Sequence, residues 1–215
     1  MENILNAKDL NQKLDYTVSD RFITYGEIKK ILDKAVEQNY RCVCVPPSFV
    51  RWSKKYVGGN IKICELVNYP LGNATINTKT IEIKEGLRNG ADEFEVIINH
   101  NELKSGNVDY VLSELKQLKH VARNKLFKAV FEPSVLTKNE TETFLKCALS
   151  SRVDYVVIGT PFGVKTDITE IDVIKLRLQK KIKIKYFLMI REDEYFEPFL
   201  NHGIDRIGVT AFRQT

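Results

Sequence analysis

The sequence contains no stretch that approaches the ~20 consecutive apolar residues of a membrane-spanning helix. Its first residues also lack the apolar core of a secretory signal peptide. These two absences predict a cytoplasmic protein without membrane contacts. Lysines and arginines give a net charge of +5, but they are spread along the chain and form no basic block. We therefore expect no nucleic-acid partner.

Motifs for metals and nucleotides are also missing. The four cysteines, Cys42, Cys44, Cys64 and Cys147, show no paired CxxC spacing, and three of them lie in apolar, strand-like runs. They are predicted to be buried free thiols. The three histidines lack metal-ligand spacing, and no Gly-x-Gly-x-x-Gly or Walker A motif occurs. The sequence thus predicts neither a metal site nor a cofactor.

Short apolar runs alternate with helical patterns along the whole chain. Several runs are apolar throughout and rich in Val, Ile, Phe and Tyr, which is typical of parallel strands covered on both faces. The predicted strands are Leu14–Val18, Arg41–Val45, Ile61–Val67, Glu93–Asn99, Leu126–Glu132, Val153–Gly159, Ile182–Ile190 and Asp205–Thr210. Between them, Thr24 with Glu27 and Thr137 with Glu140 form capping boxes that predict helix starts.

Eight strands with intervening helices predict an α/β protein whose single domain, residues 1–215, is a closed (β/α)₈ TIM barrel. The last predicted strand ends five residues before Thr215, so the eighth helix is predicted to be missing. The apolar outer face of that strand needs a cover. Residues 4–14, or a second subunit in a homodimer, could supply it.

Charged residues interrupt several of these apolar strands. Because buried charges are costly unless they are paired, they are expected to form a polar network inside the mouth of the barrel. Such a network commonly marks a functional site, although a purely structural role is the alternative. The residues are Asp15, Glu65, Glu95, Lys128, Glu132, Lys185 and Arg191.

Seven segments, in order along the chain, resemble motifs of the deoxyribose-phosphate aldolase family. They are residues 14–17 (LDYT), 42–50 (CVCVPPSFV), 68–72 (NYPLG), 90–99 (GADEFEVIIN), 103–106 (LKSG), 185–191 (KYFLMIR) and 206–208 (RIG). The resemblance covers nearly the whole chain and implies a metal-free lyase. That family cleaves 2-deoxyribose 5-phosphate into acetaldehyde and glyceraldehyde 3-phosphate through a lysine Schiff base.

The resemblance places the Schiff-base lysine at position 157, where this chain has valine. A protonated imine withdraws electrons from the carbon–carbon bond that breaks, and valine cannot form one. Lys185 corresponds to the neighbouring lysine that depresses the pKa of the nucleophile, and Glu95 corresponds to an inward aspartate that handles protons. The chain also has Leu188 and Met189 in place of paired glycines, so bulky side chains are expected to obstruct the phosphate site.

Two main hypotheses follow. The first is a lyase with a relocated nucleophile, in which Lys185, Glu95 and Asp15 are catalytic and the ligand is a small carbonyl compound or a sugar phosphate. Its predicted substrate contacts are Cys44, Glu65, Lys128, Glu132, Thr160, Arg191 and Thr210. The second is an inactive homologue that binds a small polar ligand or a partner, with Lys185 held in an ion pair. A weaker third reading is acid–base chemistry by the glutamates.

Overall fold

The computed structural model of the chain contains eight parallel strands that close into a barrel in sequence order. It describes residues 10–164, 166–188, 199–200 and 202–210, with only the backbone for Ile168. The strands are β1 (Leu14–Thr17), β2 (Cys42–Val45), β3 (Lys62–Val67), β4 (Glu93–Ile97), β5 (Leu126–Phe131), β6 (Tyr155–Ile158), β7 (Lys183–Phe187) and β8 (Arg206–Val209). β1 pairs with both β2 and β8, so the predicted closed barrel is confirmed.

In the part of the chain that the structure describes, seven helices lie in the six connections between β1 and β7. They are α1 (Tyr25–Glu37), α2 (Pro47–Val57), α3 (Ile76–Asn89), α4 (His100–Lys104), α5 (Val108–Val121), α6 (Lys138–Ser151) and α7 (Ile168–Leu178), with a 3₁₀ turn at Pro133–Val135. Both predicted capping boxes are present, at Thr24 and at Thr137. α3 ends at Gly90, whose φ of 91° lies in the left-handed region that glycine tolerates best.

No helix follows β8 within the described residues, which agrees with the predicted absence of the eighth helix. The outward side chains Ile207 and Val209 are nevertheless buried within the single chain. Leu10, from the segment predicted to cover them, packs against the same core. A second subunit is therefore not needed as a cover, and the homodimer stays a prediction. In the described ranges, no helix combines the length and apolar content of a membrane span.

Alternation along the strands separates two interiors. Outward side chains such as Ile63, Phe94 and Phe127 meet the helices and form the main apolar core. Inward side chains fill the barrel itself. They include charged residues on β1, β4, β5, β7 and β8 and sulfur-bearing residues on β2 and β3, all of them buried. The parallel register places Glu95 beside Lys128 and Lys185 beside Arg206.

Candidate active site in the barrel interior

Lys185, on β7, projects into the barrel and is fully buried. Its Nζ lies 2.6 Å from Glu95 Oε2, 3.2 Å from Asp15 Oδ2 and 3.7 Å from Cys44 Sγ. A lysine ammonium has three N–H donors, and here three acceptors surround it. The site thus holds Lys185 as an ion-paired cation.

Lys128, on β5, is equally buried and contacts three carboxylates. Its Nζ lies 2.7 Å from Asp15 Oδ2, 3.1 Å from Glu93 Oε2 and 3.5 Å from Glu95 Oε2. Arg206, on β8, reaches Glu93 Oε2 at 2.7 Å and Asp15 at 3.4 Å. Asp15, Glu93, Glu95, Lys128, Lys185 and Arg206 together form an interior network of three carboxylates and three cations.

The charges of the interior network determine its protonation. Burial, the largest influence, lowers the pKa of Lys185, but the negative charges of its three acceptors raise that pKa well above its usual value. Burial raises the pKa of Asp15, yet the three cations outweigh it and bring the value to about 2. Both groups are therefore charged at neutral pH, and Lys185 lacks the free amine that nucleophilic attack requires.

Cys44 extends the network towards β2. Burial raises the pKa of its thiol, but hydrogen bonds with Cys42 and Cys64 and the charges of the two lysines lower it well below the usual value. Its sulfur also lies 3.8 Å from Glu95 Oε2. Cys44, which was predicted to contact substrate, therefore contacts the interior network through Lys185 and Glu95.

An apolar layer closes the barrel near the C-terminal ends of the strands. It consists of Ile97, Val130 and Val157, with Tyr69 packed against them. Val157 is fully buried and pairs with Lys185 in the register between β6 and β7. The Tyr69 ring lies 6.1 Å from the ring of Phe162. An aliphatic layer thus fills the barrel where β6 presents its inward side chain.

The Tyr69 hydroxyl is buried and has no hydrogen-bond partner among the described residues. Burial, followed by the charges of Glu95, Cys44 and Glu132, raises its pKa well above the usual value. The hydroxyl therefore remains protonated near the interior network and can donate a hydrogen bond. An unsatisfied buried hydroxyl costs free energy, and a ligand at this end of the barrel could supply the missing partner.

A buried lysine between two helices anchors the turn that carries Tyr69. Lys79 Nζ, on α3, donates to the carbonyl oxygens of Gly72 and Ile97 at 2.6 and 2.7 Å. It also pairs with Glu114 of α5 at 2.6 Å. These contacts fasten the loop after β3 to the end of β4, and they hold Tyr69 over the barrel.

Glu132 and Thr160 form a second polar group on the rim of β5 and β6. The Thr160 hydroxyl donates to Glu132 Oε1, and the Glu132 N–H donates to His100 Nε2. Burial and the charge of Lys79 lower the pKa of His100 to about 4, so the imidazole is neutral and can accept that bond. These two predicted site residues therefore contact each other and lie outside the interior network.

Comparison with known proteins places this barrel in a family. A model for the DeoC/LacD family of aldolases matches residues 8–186. The chain belongs to the DeoC/LacD aldolase family.

Relatives agree with that assignment. Deoxyribose-phosphate aldolases from Ureaplasma parvum serovar 3 and Clostridioides difficile are 33% and 29% identical to the chain. The first alignment covers 94% of both chains, and the second covers 95% of this chain and 94% of the relative. The solved structure of QR15, an aldolase, superposes with a TM-score of 0.88 and 26% identity, over 94% of this chain and 91% of that one. The predicted family and barrel are therefore confirmed.

Two residues of the interior network were missed by sequence reasoning. Glu93 lies two residues before Glu95 on the same strand, and Arg206 begins β8. Strand alternation could have identified Glu93, because residues two apart share a face. Arg206 required the closed barrel, since only closure brings β8 beside β1 and across from β4.

The position of Glu65 contradicts the prediction that its side chain lies inside the mouth of the barrel. It alternates with the inward residues Cys64 and Leu66, and its carboxylate lies on the outer face of β3 against α3 and Phe94. A Cβ placed on Gly86 of α3 would come within 1.9 Å of Glu65 Oε2, so only glycine allows the helix this close. Burial, followed by the charges of Glu82 and Glu85, raises the pKa of Glu65 to about 8. Glu65 therefore faces the helices and lies outside the barrel interior, where it had been predicted from the sequence.

The remaining predicted contacts have other partners or lie elsewhere. The Thr210 hydroxyl donates to the carbonyl oxygen of Thr17 at 2.8 Å, which ties β8 to β1. The Leu188 N–H donates to the carbonyl oxygen of Gly208 at 2.9 Å, so it is already used within the sheet. Arg191 and Met189 lie outside the described residues.

A cavity of about 470 Å³ opens beside the apolar layer, at the C-terminal ends of β1 to β3. Leu66, Tyr69 and Phe162 form its inner wall, and Ser48 and Arg21 lie on its outer side. A larger depression of about 1150 Å³ lies at the opposite end of the barrel, among Lys119, Arg152 and Lys181. Catalytic groups of TIM barrels lie at the C-terminal ends of the strands, so we assign the smaller cavity to the candidate site.

Proposed function

We propose that this chain is a catalytically silent member of its aldolase family that binds a small carbonyl compound or sugar phosphate in the cavity beside Tyr69. The observation that carries the proposal is the ion pair of Lys185 with Glu95, below an apolar layer that contains Val157. The only two lysines inside the described part of the barrel, Lys128 and Lys185, are both ion-paired.

A retro-aldol reaction through an imine needs an unprotonated amine in contact with the substrate carbonyl. Freeing Lys185 as an amine would require removal of its proton, which would leave the carboxylates of Glu95 and Asp15 less compensated. Unpaired buried charges are strongly destabilising. The interior network therefore disfavours the deprotonated form of Lys185 that imine formation requires.

Ligand binding without turnover fits the remaining features of the mouth. The Tyr69 hydroxyl offers an unused donor to a carbonyl or hydroxyl oxygen. Ser48 and Arg21 in the cavity wall offer further polar contacts, and the aromatic rings of Tyr69 and Phe162 provide apolar area. Small-molecule sites commonly combine mostly apolar walls with a few such polar groups.

Borohydride trapping tests the catalytic half of the proposal. The protein is incubated with 2-deoxyribose 5-phosphate or acetaldehyde, reduced, digested and examined by mass spectrometry. We expect no adduct on Lys185 and no release of acetaldehyde in a coupled assay, whereas an active family member treated in parallel should give both. An adduct on Lys185 that disappears in Lys185→Arg would overturn the proposal.

Titration calorimetry tests the binding half, with 2-deoxyribose 5-phosphate, 2-deoxyribose and inorganic phosphate as separate probes. Binding of the sugar phosphate to the parent, weakened in Tyr69→Phe, is the expected result. Absence of binding by all three probes would contradict the assignment of a ligand to this cavity.

A lyase with a relocated nucleophile is the second candidate. It is favoured by one observation: Lys185 directly contacts Glu95, a carboxylate that could accept its proton. For this reading, substrate entry would have to displace the ion pair before imine formation. The trapping experiment separates the two candidates, because only this one yields an adduct on Lys185.

A further inference from the structure

Three cysteine sulfurs converge inside the barrel, although the sequence separates them. Cys42 and Cys44 lie on β2, two residues apart, and Cys64 lies on β3 directly opposite Cys44 in the parallel register. All three side chains are fully buried and unoxidised. Their sulfur atoms lie within 4.8 Å of one another, and Cys42 Sγ and Cys44 Sγ are 3.8 Å apart. We call Cys42, Cys44 and Cys64 the sulfur cluster.

The spacing between Cys42 and Cys44 matches the ligand geometry of a thiophilic metal ion. An ion at the centre of an equilateral triangle with 3.8 Å edges would lie about 2.2 Å from each sulfur, against a Zn–S bond of ~2.3 Å. The other two pairs of sulfurs lie within 4.8 Å of each other, and small side-chain rotations would bring each sulfur to bonding distance from the ion. Three thiolates select zinc or another soft ion over magnesium and calcium, which prefer oxygen ligands.

The carboxylate of Asp15 lies close to two of the three sulfurs. A carboxylate oxygen of Asp15 lies within 4.8 Å of Cys42 Sγ and of a Glu93 oxygen. An Asp15 oxygen also lies within 4.8 Å of Cys44 Sγ and of a Glu95 oxygen. Three thiolates occupy three positions of the four-coordinate shell that zinc favours in structural sites, and a small movement of the Asp15 side chain would bring one of its oxygens to the fourth. From this juxtaposition we propose that Cys42, Cys44 and Cys64, with Asp15, form a binding site for one zinc-class divalent ion.

The surroundings of the cluster compensate the charge of such a complex. A thiol that is still protonated releases its proton to water when it becomes a ligand, so an ion held by three thiolates and a carboxylate carries a net negative charge. Lys185 Nζ lies 3.7 Å from Cys44 Sγ, and Lys128 Nζ lies 2.7 Å from Asp15. The two ammonium groups thus flank the ligands and oppose that negative charge.

The cluster also has a route to solvent. Leu66 belongs to the same buried group as the three cysteines, and Tyr69 packs against that group. Both residues line the 470 Å³ cavity at the mouth of the barrel. Rotation of these two side chains would connect the sulfurs with the cavity, without any opening of the sheet.

The test uses the untagged full chain, reduced and stripped of metals, with Co²⁺ as a spectroscopic probe and Zn²⁺ as the competitor. We expect one Co²⁺ per chain, with thiolate-to-cobalt charge-transfer absorption that Zn²⁺ abolishes. Cys64→Ser should weaken binding at least about tenfold. Cys147→Ser is the matched control, since Cys147 is a buried free thiol on α6, and it should bind as the parent does.

If Cys64→Ser fails to fold, alkylation of the parent chain decides. Zn²⁺ should protect Cys42, Cys44 and Cys64 from a thiol reagent, as peptide mass spectrometry would show, and should leave the rate at Cys147 unchanged. Absence of a charge-transfer band, equal binding by the Cys64 and Cys147 variants, or equal protection of all four cysteines would overturn the site. The cluster would then be small side chains that merely fill the barrel.

Discussion

The Nζ of Lys185 and the Oε2 of Glu95 lie 2.6 Å apart, with both side chains shielded from solvent inside the barrel. Both residues were predicted from the sequence to be catalytic. Asp15 and Cys44 complete the contacts of Lys185, so its ammonium group is surrounded by three acceptors.

Lys185→Met should destabilise the protein strongly, because it leaves the carboxylates of Glu95 and Asp15 with one cation fewer. Loss of one partner from a buried ion pair typically costs about 3–5 kcal/mol in the free energy of unfolding. Urea denaturation measures it. Lys183→Met, two residues earlier at an exposed position of the same strand, is the matched control and should change stability little. Equal effects of both changes would contradict the structural role of Lys185.

Glu65→Gln should remove a pH dependence of stability. The pKa of Glu65 is raised from 4.5 to about 8, so the folded state binds a proton that the unfolded state releases. The parent should therefore lose stability as pH rises from about 4.5 to about 8, on the order of 5 kcal/mol at most. The glutamine variant should lack this loss.

Denaturation of both proteins at pH 5, 7 and 9 measures the effect of Glu65. Glu37→Gln, at an exposed position of α1, serves as the control and should follow the parent at every pH. Parallel stability curves for the parent and Glu65→Gln would show that the Glu65 carboxyl has a charged partner or water contact when buried.

Val157→Lys should restore imine formation without restoring efficient cleavage. Burial in the apolar layer would lower the pKa of the new lysine and favour its amine form. Leu188, however, already donates its N–H to Gly208 and cannot bind a phosphate oxygen through it. We expect borohydride to trap acetaldehyde at position 157, with only trace turnover of 2-deoxyribose 5-phosphate. Val130→Lys, in the same layer, controls for nonspecific reactivity.

A cleavage rate for Val157→Lys within about tenfold of an active family member would contradict this prediction. It would show that the nucleophile was the one missing component and that the phosphate can bind by other contacts. Trapping at both positions 157 and 130 would show that the layer admits aldehydes without selectivity.

Tyr69→Phe should leave the unfolding free energy unchanged or raise it by about 1 kcal/mol, because the lost hydroxyl has no partner among the described residues. Tyr186→Phe is the contrasting control, since the Tyr186 hydroxyl donates to the carbonyl oxygen of Thr166 at 2.7 Å. Its loss should destabilise the protein by about 1–3 kcal/mol. Thermal and urea denaturation of both variants provide the comparison. A larger loss in Tyr69→Phe than in Tyr186→Phe would reveal an unrecognised partner of Tyr69.

All eight strands were predictable from apolar runs, although the observed strands are shorter. Val153–Gly159 was predicted, for example, and Tyr155–Ile158 is observed. Gly159, with a φ of 84°, departs from extended backbone and ends that strand. Apolar character continues past the last ladder bond, because residues at the strand ends are also buried. Composition alone therefore overestimates strand length.

Glu65 shows where sequence reasoning about the site failed. A glutamate in a buried strand was assumed to face the polar interior, but its position beside Cys64 places it on the opposite face. The main chain of α3 approaches closely at Gly86 and leaves room for the carboxyl there. The sequence carried a signal, because Glu65 is next to Leu66 on the strand and the two side chains must point to opposite faces. That signal conflicted with the expectation that charges avoid an apolar sheet–helix interface.

The order of apolar strands and amphipathic helices by itself determined the barrel and the buried valine on β6, because hydrophobic periodicity is a local property of the chain. Only the tertiary structure decided which charges meet. Closure of β8 onto β1 brought Arg206 to Asp15, and pairing of β2 with β3 joined Cys64 to Cys44. Such contacts link residues up to 191 positions apart, and their energies depend on distance and burial, which no local pattern encodes.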